Sequence, residues 1–262
     1  MHVGVMESKV PSDTPASIGE ADETGFDGIE LDINGPDPGD DLVWSPAGRT
    51  IIRGEIVDRG IELPSICLGF LNRGGLTMDD EDTRGDARHA ILRAIDAAAA
   101  IRADVILVPF FGTGEIESDV HRRRVIEGIS RVAPAAEAAG VTLAIENTRP
   151  AEENLELIES IDSPAVGVYY DVGNVIPLGY DPASEIETLG GAIAQVHFKD
   201  RDRDGSDHLL GEGEVDFDAC VDALEAIGYD EWVVLETGAH GDPLQDLVRN
   251  REFTERVCAG SA

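Results

Sequence analysis

Two stretches decide the fold of this chain: Val141-Thr-Leu-Ala-Ile-Glu-Asn-Thr148 and Val166-Gly-Val-Tyr-Tyr-Asp-Val-Gly-Asn174. Each is a short run of apolar and β-branched residues that ends in an acidic side chain. Similar runs recur at roughly regular intervals along the sequence, and each is followed by a helical pattern. Strands that alternate with helices are typical of a parallel α/β fold.

The number of such runs favours a closed barrel. Eight strands are predicted, at His2–Met6, Asp27–Asp32, Glu62–Gly69, Asp104–Phe110, Val141–Asn147, Val166–Val172, Ile193–Lys199 and Trp232–Thr237. Eight parallel strands followed by helices close into a (β/α)8 TIM barrel, and 262 residues suit one such domain over residues 1–262.

The helices between the strands carry recognisable end signals. Apolar spacing predicts a helix over Asp86–Ile101, and another runs from near Asp119 to Gly140. Asp181-Pro182 opens a third helix, and Asp216–Ile227 forms a fourth that ends at Gly228. The Gly-, Pro- and Asp-rich residues Asn34–Ala47 are interpreted as a long loop over the mouth of the barrel.

The charge of the chain is unusual. There are 53 acidic and 20 basic residues, which gives a net charge of −33, and Lys9 and Lys199 are the only lysines. Because the carboxylates are spread along the whole length, we interpret them as an adaptation to molar salt, where the Debye length is about 3 Å. The charge also weighs against nucleic acid as a partner, since binding its backbone needs clustered Lys and Arg.

Other composition signals point to a protein of the cytoplasm. No apolar run approaches the roughly 20 residues of a membrane span, and no signal-peptide pattern opens the sequence. Cys67, Cys220 and Cys258 are scattered without metal-binding spacing and are expected to be free thiols. The expected partner is a small molecule, with neither membrane nor nucleic acid involved; a homo-oligomer is left open.

The last four strands each end in a residue that can bind a metal ion. These residues are Glu146, Asp171, His197 and Glu236. In a parallel barrel the carboxyl ends of all strands meet at one mouth, and a carboxylate buried there is costly unless it is paired or metal-bound. Three carboxylates and one imidazole therefore predict one divalent metal ion, with Mn²⁺ or Mg²⁺ favoured over Co²⁺ or Zn²⁺.

Each of these residues also has an ordinary interpretation. A single acidic residue after a strand often caps the next helix, and a single buried histidine is more often a satisfied core residue than a ligand. The metal interpretation depends on all four occurring in order on consecutive strands.

Several motifs resemble those of the xylose-isomerase-like sugar phosphate isomerase/epimerase family. They lie at residues 64–68 (PSICL), 144–155 (AIENTRPAEENL), 168–174 (VYYDVGN), 194–200 (AQVHFKD) and 211–217 (GEGEVDF). The match is best with the branch that contains ketose and L-ribulose-5-phosphate 3-epimerases.

The resemblance implies a mechanism. Glu146, Asp171, His197 and Glu236 would be the metal ligands, and Glu146 and Glu236 would be the catalytic pair. In this family a metal-held ketose loses its C3 proton to one glutamate, forms an enediolate, and regains a proton from the other glutamate on the opposite face.

Other residues are candidates for substrate contacts. Arg73 remains where the branch has a His-Arg-Arg motif, so a phosphate on the substrate is not assured, and Asn174 replaces a histidine that some relatives have. Lys199 lies at the mouth, where it faces either the substrate or Glu236. Glu152 follows the Glu146 strand, and Glu30 is interpreted as the end of the second strand.

Three alternatives remain beside a sugar epimerase. An inosose dehydratase or a hydroxypyruvate-type isomerase uses the same barrel and metal. A non-catalytic sugar-binding barrel is a second alternative. An abasic-site endonuclease is remote, because that class needs extra histidines for a three-zinc cluster and a basic surface.

Overall fold

Eight parallel strands form a closed barrel in the computed structural model, which describes residues 1–37, 39, 41–238 and 240–260. The strands are β1 (His2–Met6), β2 (Gly28–Asp32), β3 (Ser65–Cys67), β4 (Val105–Pro109), β5 (Thr142–Glu146), β6 (Val166–Asp171), β7 (Ile193–Phe198) and β8 (Trp232–Leu235). Neighbours in the chain are neighbours in the barrel, and β1 pairs with β8 to close it. The predicted TIM barrel is confirmed.

Within the described residues, each of the eight strands is followed by an α-helix. They are α1 (Ala16–Glu23), α2 (Pro46–Arg59), α3 (Glu81–Ile101), α4 (Asp119–Ala139), α5 (Ala151–Ile161), α6 (Pro182–Leu189), α7 (Phe217–Ala226) and α8 (Pro243–Cys258). Asp181 and Asp216 accept hydrogen bonds from the first turns of α6 and α7, as the sequence predicts. Gly228 follows α7 with φ +77°, the left-handed conformation that ends many helices.

Some predicted boundaries were wrong. The third strand is only Ser65–Cys67, because Pro64 lacks an N–H for the ladder and a 3₁₀ turn begins at Gly69. Helix α3 begins five residues before Asp86, where the Asp80 side chain caps it. Within the predicted loop Asn34–Ala47, residues 42–44 form a 3₁₀ turn and α2 begins at Pro46, whereas Pro38 and Asp40 lie outside the described residues.

The two faces of the strands have different surroundings. Residues such as Ile29, Ile106 and Ile145 point outward and pack against the helices in the main core. The residues between them point into the barrel, where a separate apolar cluster consists of Met6, Cys67, Val105, Leu107, Ala144, Tyr169 and Val234. Residues two positions further along the same strands share this inward face and lie at the mouth.

The loop after β7 is held by one buried side chain. Asp200 is fully buried and accepts hydrogen bonds from the backbone N–H groups of Gly211, Gly213 and Val215. This carboxylate folds the motif of residues 211–217 back against the end of β7. In the described part of the chain, none of the helices has the length and apolar content needed to cross a membrane.

Candidate metal centre

The four predicted ligand residues meet at the carboxyl ends of the last four strands. Glu146 ends β5, Asp171 ends β6, His197 lies one residue before the end of β7, and Glu236 directly follows β8. Asp171 is in register with His197 on the neighbouring strand. Each residue offers one ligand atom, and these four atoms all lie within 4.8 Å of one another. We call these four residues the ligand cluster.

The ligand cluster is almost closed to solvent. The His197 side chain is fully buried, and the side chain of Glu236, the most exposed of the four, has 17% exposure. His197 Nδ1 lies 3.4 Å from Glu236 Oε2 and 3.8 Å from Glu146 Oε1. One imidazole nitrogen therefore faces two carboxylates from different strands.

Two buried atoms of the ligand cluster have no hydrogen-bond partner. Asp171 Oδ1 accepts hydrogen bonds from the backbone N–H groups of Gly173 and Asn174, but Asp171 Oδ2 accepts none. His197 Nδ1 is also without a partner. Because an unpaired buried polar atom is costly, these two atoms fit a site that could hold a ligand.

The charges at the mouth fit a divalent cation. Four buried or nearly buried carboxylates lie at the mouth or directly below it: Glu30, Glu146, Asp171 and Glu236. Two ammonium groups, those of Lys9 and Lys199, contact Glu236. With a neutral imidazole their formal charges sum to −2. One divalent metal ion would balance that charge, and its preferred oxygen and imidazole donors are those present.

The ionisation of these groups reflects their burial and the charges around them. Burial raises the pKa of Glu146, and it raises the pKa of Asp171 to about 7. Burial would also raise the pKa of Glu236, but the adjacent His197 ring and the charge of Lys199 hold it well below its usual range. Burial opposes protonation of His197, yet the surrounding carboxylates, above all Glu30, raise its pKa well above the ordinary value. Such a site favours a bound cation.

Both lysines of the chain contact Glu236. Lys199 Nζ lies 2.9 Å from Glu236 Oε1, and Lys9 Nζ lies 3.8 Å from the same oxygen. Sequence reasoning missed Lys9, although the scarcity of lysine was a signal that applied to both residues. The lysines engage Oε1, which leaves Oε2 facing His197.

Asn174 holds the other glutamate. Its Nδ2 group donates to Glu146 Oε1 at 3.3 Å, and its Oδ1 accepts from Arg201 Nη1 at 2.9 Å. Arg201 is in turn paired with Asp207 at 2.5 Å. The direction of these bonds fixes the Asn174 amide, so that its N–H faces Glu146.

A cavity of about 280 Å³ opens above the ligand cluster. It is lined by Met6, Asp32, Cys67, Gly69, Asn72, Pro109, Phe111, Glu146, Asn174, His197, Lys199, Arg201 and Glu236. A larger cavity of about 470 Å³ shares Asp32 with it but contains none of the ligand cluster among its lining residues. The smaller cavity is therefore the one where chemistry at a metal can occur, and a monosaccharide is of suitable size for it.

Only two of the four predicted substrate contacts line the cavity. Lys199 and Asn174 line the cavity. Arg73 instead donates to the Asn34 carbonyl at 2.5 Å, and Glu152 is exposed in the first turn of α5; neither lines the cavity. Substrate contacts from Arg73 and Glu152 stay predictions.

Glu30 does not end a strand, so this interpretation was wrong. It is the third residue of β2 and is completely buried inside the barrel, below the mouth. Its Oε1 lies 3.1 Å from His197 Nε2, and its Oε2 accepts from Ser65 Oγ at 2.5 Å and from the Tyr169 hydroxyl at 2.9 Å. Gln195 Nε2 donates to both hydroxyls, at 2.7 Å and 2.9 Å.

We call Glu30, Ser65, Tyr169 and Gln195 the buried polar network. All four residues have at most 1% exposure. Tyr169 and Gln195 precede Asp171 and His197 by two residues, so they occupy the next layer of the barrel interior. Polar residues two positions before predicted ligands were the signal in the sequence that could have revealed this layer.

Comparison with known proteins finds a matching family model and similar epimerases. A family model described as a xylose isomerase-like TIM barrel matches residues 18–257. The 2-epi-5-epi-valiolone 7-phosphate 2-epimerase of Actinoplanes sp. is 31% identical over 214 residues, which cover 81% of this chain and 77% of that protein. The L-ribulose-5-phosphate 3-epimerase of Escherichia coli is 27% identical over 248 residues, covering 90% of this chain and 86% of that protein.

Solved structures share the fold. A D-psicose 3-epimerase from Clostridium cellulolyticum H10, determined with D-tagatose, superposes with a TM-score of 0.80. The match has 20% sequence identity and covers 98% of this chain and 99% of that chain. At this identity the likeness shows the barrel architecture alone.

Proposed function

Because the chain belongs to the xylose isomerase-like TIM barrel family, we propose that it is a divalent-metal-dependent sugar epimerase that inverts a ketose at C3. Its relatives assign it to the isomerase class of enzymes. The metal ion, the ketose and the use of two glutamates as acid and base are our proposal for this chain.

The ligand cluster is the observation that carries the proposal. Three carboxylates and one imidazole offer donor atoms within 4.8 Å of one another, and two of their buried atoms have no partner. Glu146, Asp171, His197 and Glu236 would hold the metal ion, with Mn²⁺ or Mg²⁺ favoured and Co²⁺ or Zn²⁺ as alternatives. When bound, the ion supplies Lewis-acid stabilisation of negative charge that develops on substrate oxygen.

In our proposal the two glutamates serve opposite faces of the substrate. Glu146 projects from the end of β5 and Glu236 from the end of β8, with β6 and β7 between them. One carboxylate accepts the proton from C3, and the electrons of the broken C–H bond form the C2–C3 double bond of an enediolate. The other, entering protonated, returns a proton to the opposite face of C3, and the C2 carbonyl forms again. Exchange with water resets both carboxyl groups.

The neighbouring residues orient this pair. Asn174 donates to Glu146, and Lys199 donates to Glu236, each at the Oε1 atom. These contacts restrict rotation of the two carboxylates. Catalysis gains because the acid and base are held in position before the substrate binds.

The positively charged side chains of the cavity bear on whether the substrate carries a phosphate. Among its described lining residues the cations are Lys199 and Arg201, and both already pair with carboxylates, Glu236 and Asp207. A phosphate dianion would have to compete with these pairs. This supports a neutral ketose as the preferred substrate, with the ketose phosphate as the second substrate to test.

Proton exchange tests the proposal directly. The chain, loaded with Mn²⁺ in molar KCl and deuterated water, is incubated with pentuloses, hexuloses and their phosphates, and the C3 proton is followed by NMR. We expect metal-dependent loss of that signal and appearance of the C3 epimer for at least one ketose. Removal of the metal with a chelator is the control.

Three outcomes contradict the proposal. Absence of exchange with every sugar of the panel rejects the epimerase and favours a sugar-binding barrel, whereas loss of water from the substrate identifies a dehydratase. A Glu146→Gln/Glu236→Gln double variant that keeps its full metal content contradicts the assignment of the ligands.

A further inference from the structure

The protons of the buried polar network can be placed from its geometry. The Gln195 amide donates to Ser65 Oγ and to the Tyr169 hydroxyl, so both hydroxyls act there as acceptors. Each hydroxyl has only one proton to give, and each lies within hydrogen-bond distance of Glu30 Oε2. Both protons therefore point at Glu30, and Oε2 accepts two hydrogen bonds.

The second oxygen of Glu30 then determines the state of His197. Oε1 lies 3.1 Å from His197 Nε2, and an ionised carboxylate can only accept hydrogen bonds. The geometry of this contact therefore assigns its proton to His197 Nε2. In the neutral ring the lone pair is consequently on Nδ1, the atom that faces Glu146 and Glu236 and has no partner of its own.

We propose that Glu30 is a positioning residue that fixes the tautomer of His197 and presents its Nδ1 atom to the divalent metal ion. The inference rests on the metal site of the proposed function. Tyr169 assists by packing its ring against the imidazole, with the ring centroids 4.3 Å apart, which restricts rotation of His197. A carboxylate behind a metal-binding imidazole also makes the other ring nitrogen a stronger donor to the metal.

A matched pair of variants separates this role from simple support of the barrel. Tyr169→Phe keeps the ring but removes one hydrogen bond from Glu30 Oε2. Glu30→Gln keeps the size of the side chain, but its amide oxygen is held by the two hydroxyls, which turns the amide N–H₂ towards His197 Nε2. That arrangement favours the tautomer with its proton on Nδ1, where the metal would bind.

Metal affinity is the first measurement. Zn²⁺ and Mn²⁺, each alone, are titrated into the metal-free full chain by competition with a chelator. We expect Glu30→Gln to bind about 10–100-fold more weakly than the unmodified chain and Tyr169→Phe to bind within about 3-fold of it. Equal losses in the two variants, or unchanged affinity in Glu30→Gln, would overturn the inference.

NMR of the unmodified chain is the second measurement and needs no variant of Glu30. In the Zn²⁺-loaded protein, long-range ¹H–¹⁵N correlations identify which nitrogen of each imidazole carries a proton, and His197→Asn assigns the signals of His197. We expect a proton on Nε2, protected from exchange, and Zn²⁺ on Nδ1. A proton on Nδ1 contradicts the inference even if Glu30→Gln does not fold.

Failure of the two proposals can be told apart. If the unmodified chain binds neither ion, the metal site of the proposed function is wrong and the inference falls with it. If the unmodified chain binds metal and Glu30→Gln binds it equally well, only the role of Glu30 is wrong.

Discussion

The ligand cluster and the buried polar network are adjacent layers of one barrel interior, yet they differ in how their polar atoms are paired. In the buried polar network, the Glu30 carboxylate, both hydroxyls and the Gln195 amide N–H₂ have partners within the protein. In the ligand cluster, Asp171 Oδ2 and His197 Nδ1 have none.

This difference separates a structural role from a functional one. A buried polar group contributes to stability when its hydrogen bonds are complete, and it costs stability when one is missing. The buried polar network, which we call the closed layer, can therefore stabilise the barrel by itself. The ligand cluster, which we call the open layer, would be completed by a ligand. His197 belongs to both layers, since Nε2 faces Glu30 and Nδ1 faces the mouth.

Loss of a glutamate from the open layer has the largest expected effect. Glu146→Gln and Glu236→Gln each remove a proton-transfer group, so C3 proton exchange is expected to fall about 10²–10⁴-fold. For Glu146→Gln the melting temperature of the metal-free chain is expected to stay the same or rise, because the change removes one of several crowded negative charges. For Glu236→Gln it is expected to fall, because the buried Lys199 loses the carboxylate with which it is paired. A variant that keeps more than about a tenth of the exchange rate would show that this carboxylate is not the acid or base.

Metal binding provides the next test of the open layer. At a metal concentration about 100 times the dissociation constant, binding adds about 2.7 kcal/mol to the free energy of unfolding, which corresponds to a rise of about 5–10 °C in melting temperature. Asp171→Asn is expected to lose most of this rise without lowering the melting temperature of the metal-free chain. An equal rise in the variant would place the metal elsewhere.

The two lysines allow a comparison within the open layer. Lys199 is buried and donates to Glu236 at 2.9 Å, so Lys199→Gln is expected to slow exchange about 10–100-fold. Lys9 is 3.8 Å from the same oxygen with 22% side-chain exposure, and Lys9→Gln is expected to cost about 5-fold or less. The rates are measured at saturating metal; the reverse order would contradict the geometry of the pair.

The closed layer is tested by its effect on stability. Ser65→Ala removes a hydroxyl that both donates to Glu30 and accepts from Gln195, so the free energy of unfolding is expected to fall by about 1–2 kcal/mol. Ser160→Ala, on an exposed part of α5, is the control and is expected to change it by about 0.5 kcal/mol or less. Denaturant unfolding measures both. Should Ser65→Ala match the control, the layer would not be a stabilising one.

Much of the fold and of the site was predictable from local pattern. The alternation of strands and helices indicated a parallel barrel, and a parallel barrel brings all carboxyl strand ends to one mouth. That rule alone was enough to bring Glu146, Asp171, His197 and Glu236 together from four strands. It also placed Lys199 and Asn174 at the mouth, because they follow those strands within three residues.

Other features were not predictable in this way. Glu30 was interpreted as a mouth residue, since a short apolar run does not show where its strand ends. Its contact with His197 spans 167 positions in the sequence and depends on the register of strands that are not neighbours. Arg73 and Glu152 lie in a 3₁₀ turn and a helix whose directions depend on packing, and the structure places both outside the cavity lining.

The sequence by itself therefore determined the barrel and the identity of the ligand cluster, because both depend on short-range periodicity and on one rule of parallel topology. Only the tertiary structure decided which atoms of the cluster are left unpaired, which lysine lies nearer to Glu236, and that Glu30 lies behind His197. These are relations between side chains of different strands, and the tilt and stagger of a closed barrel set them at the level of single ångströms.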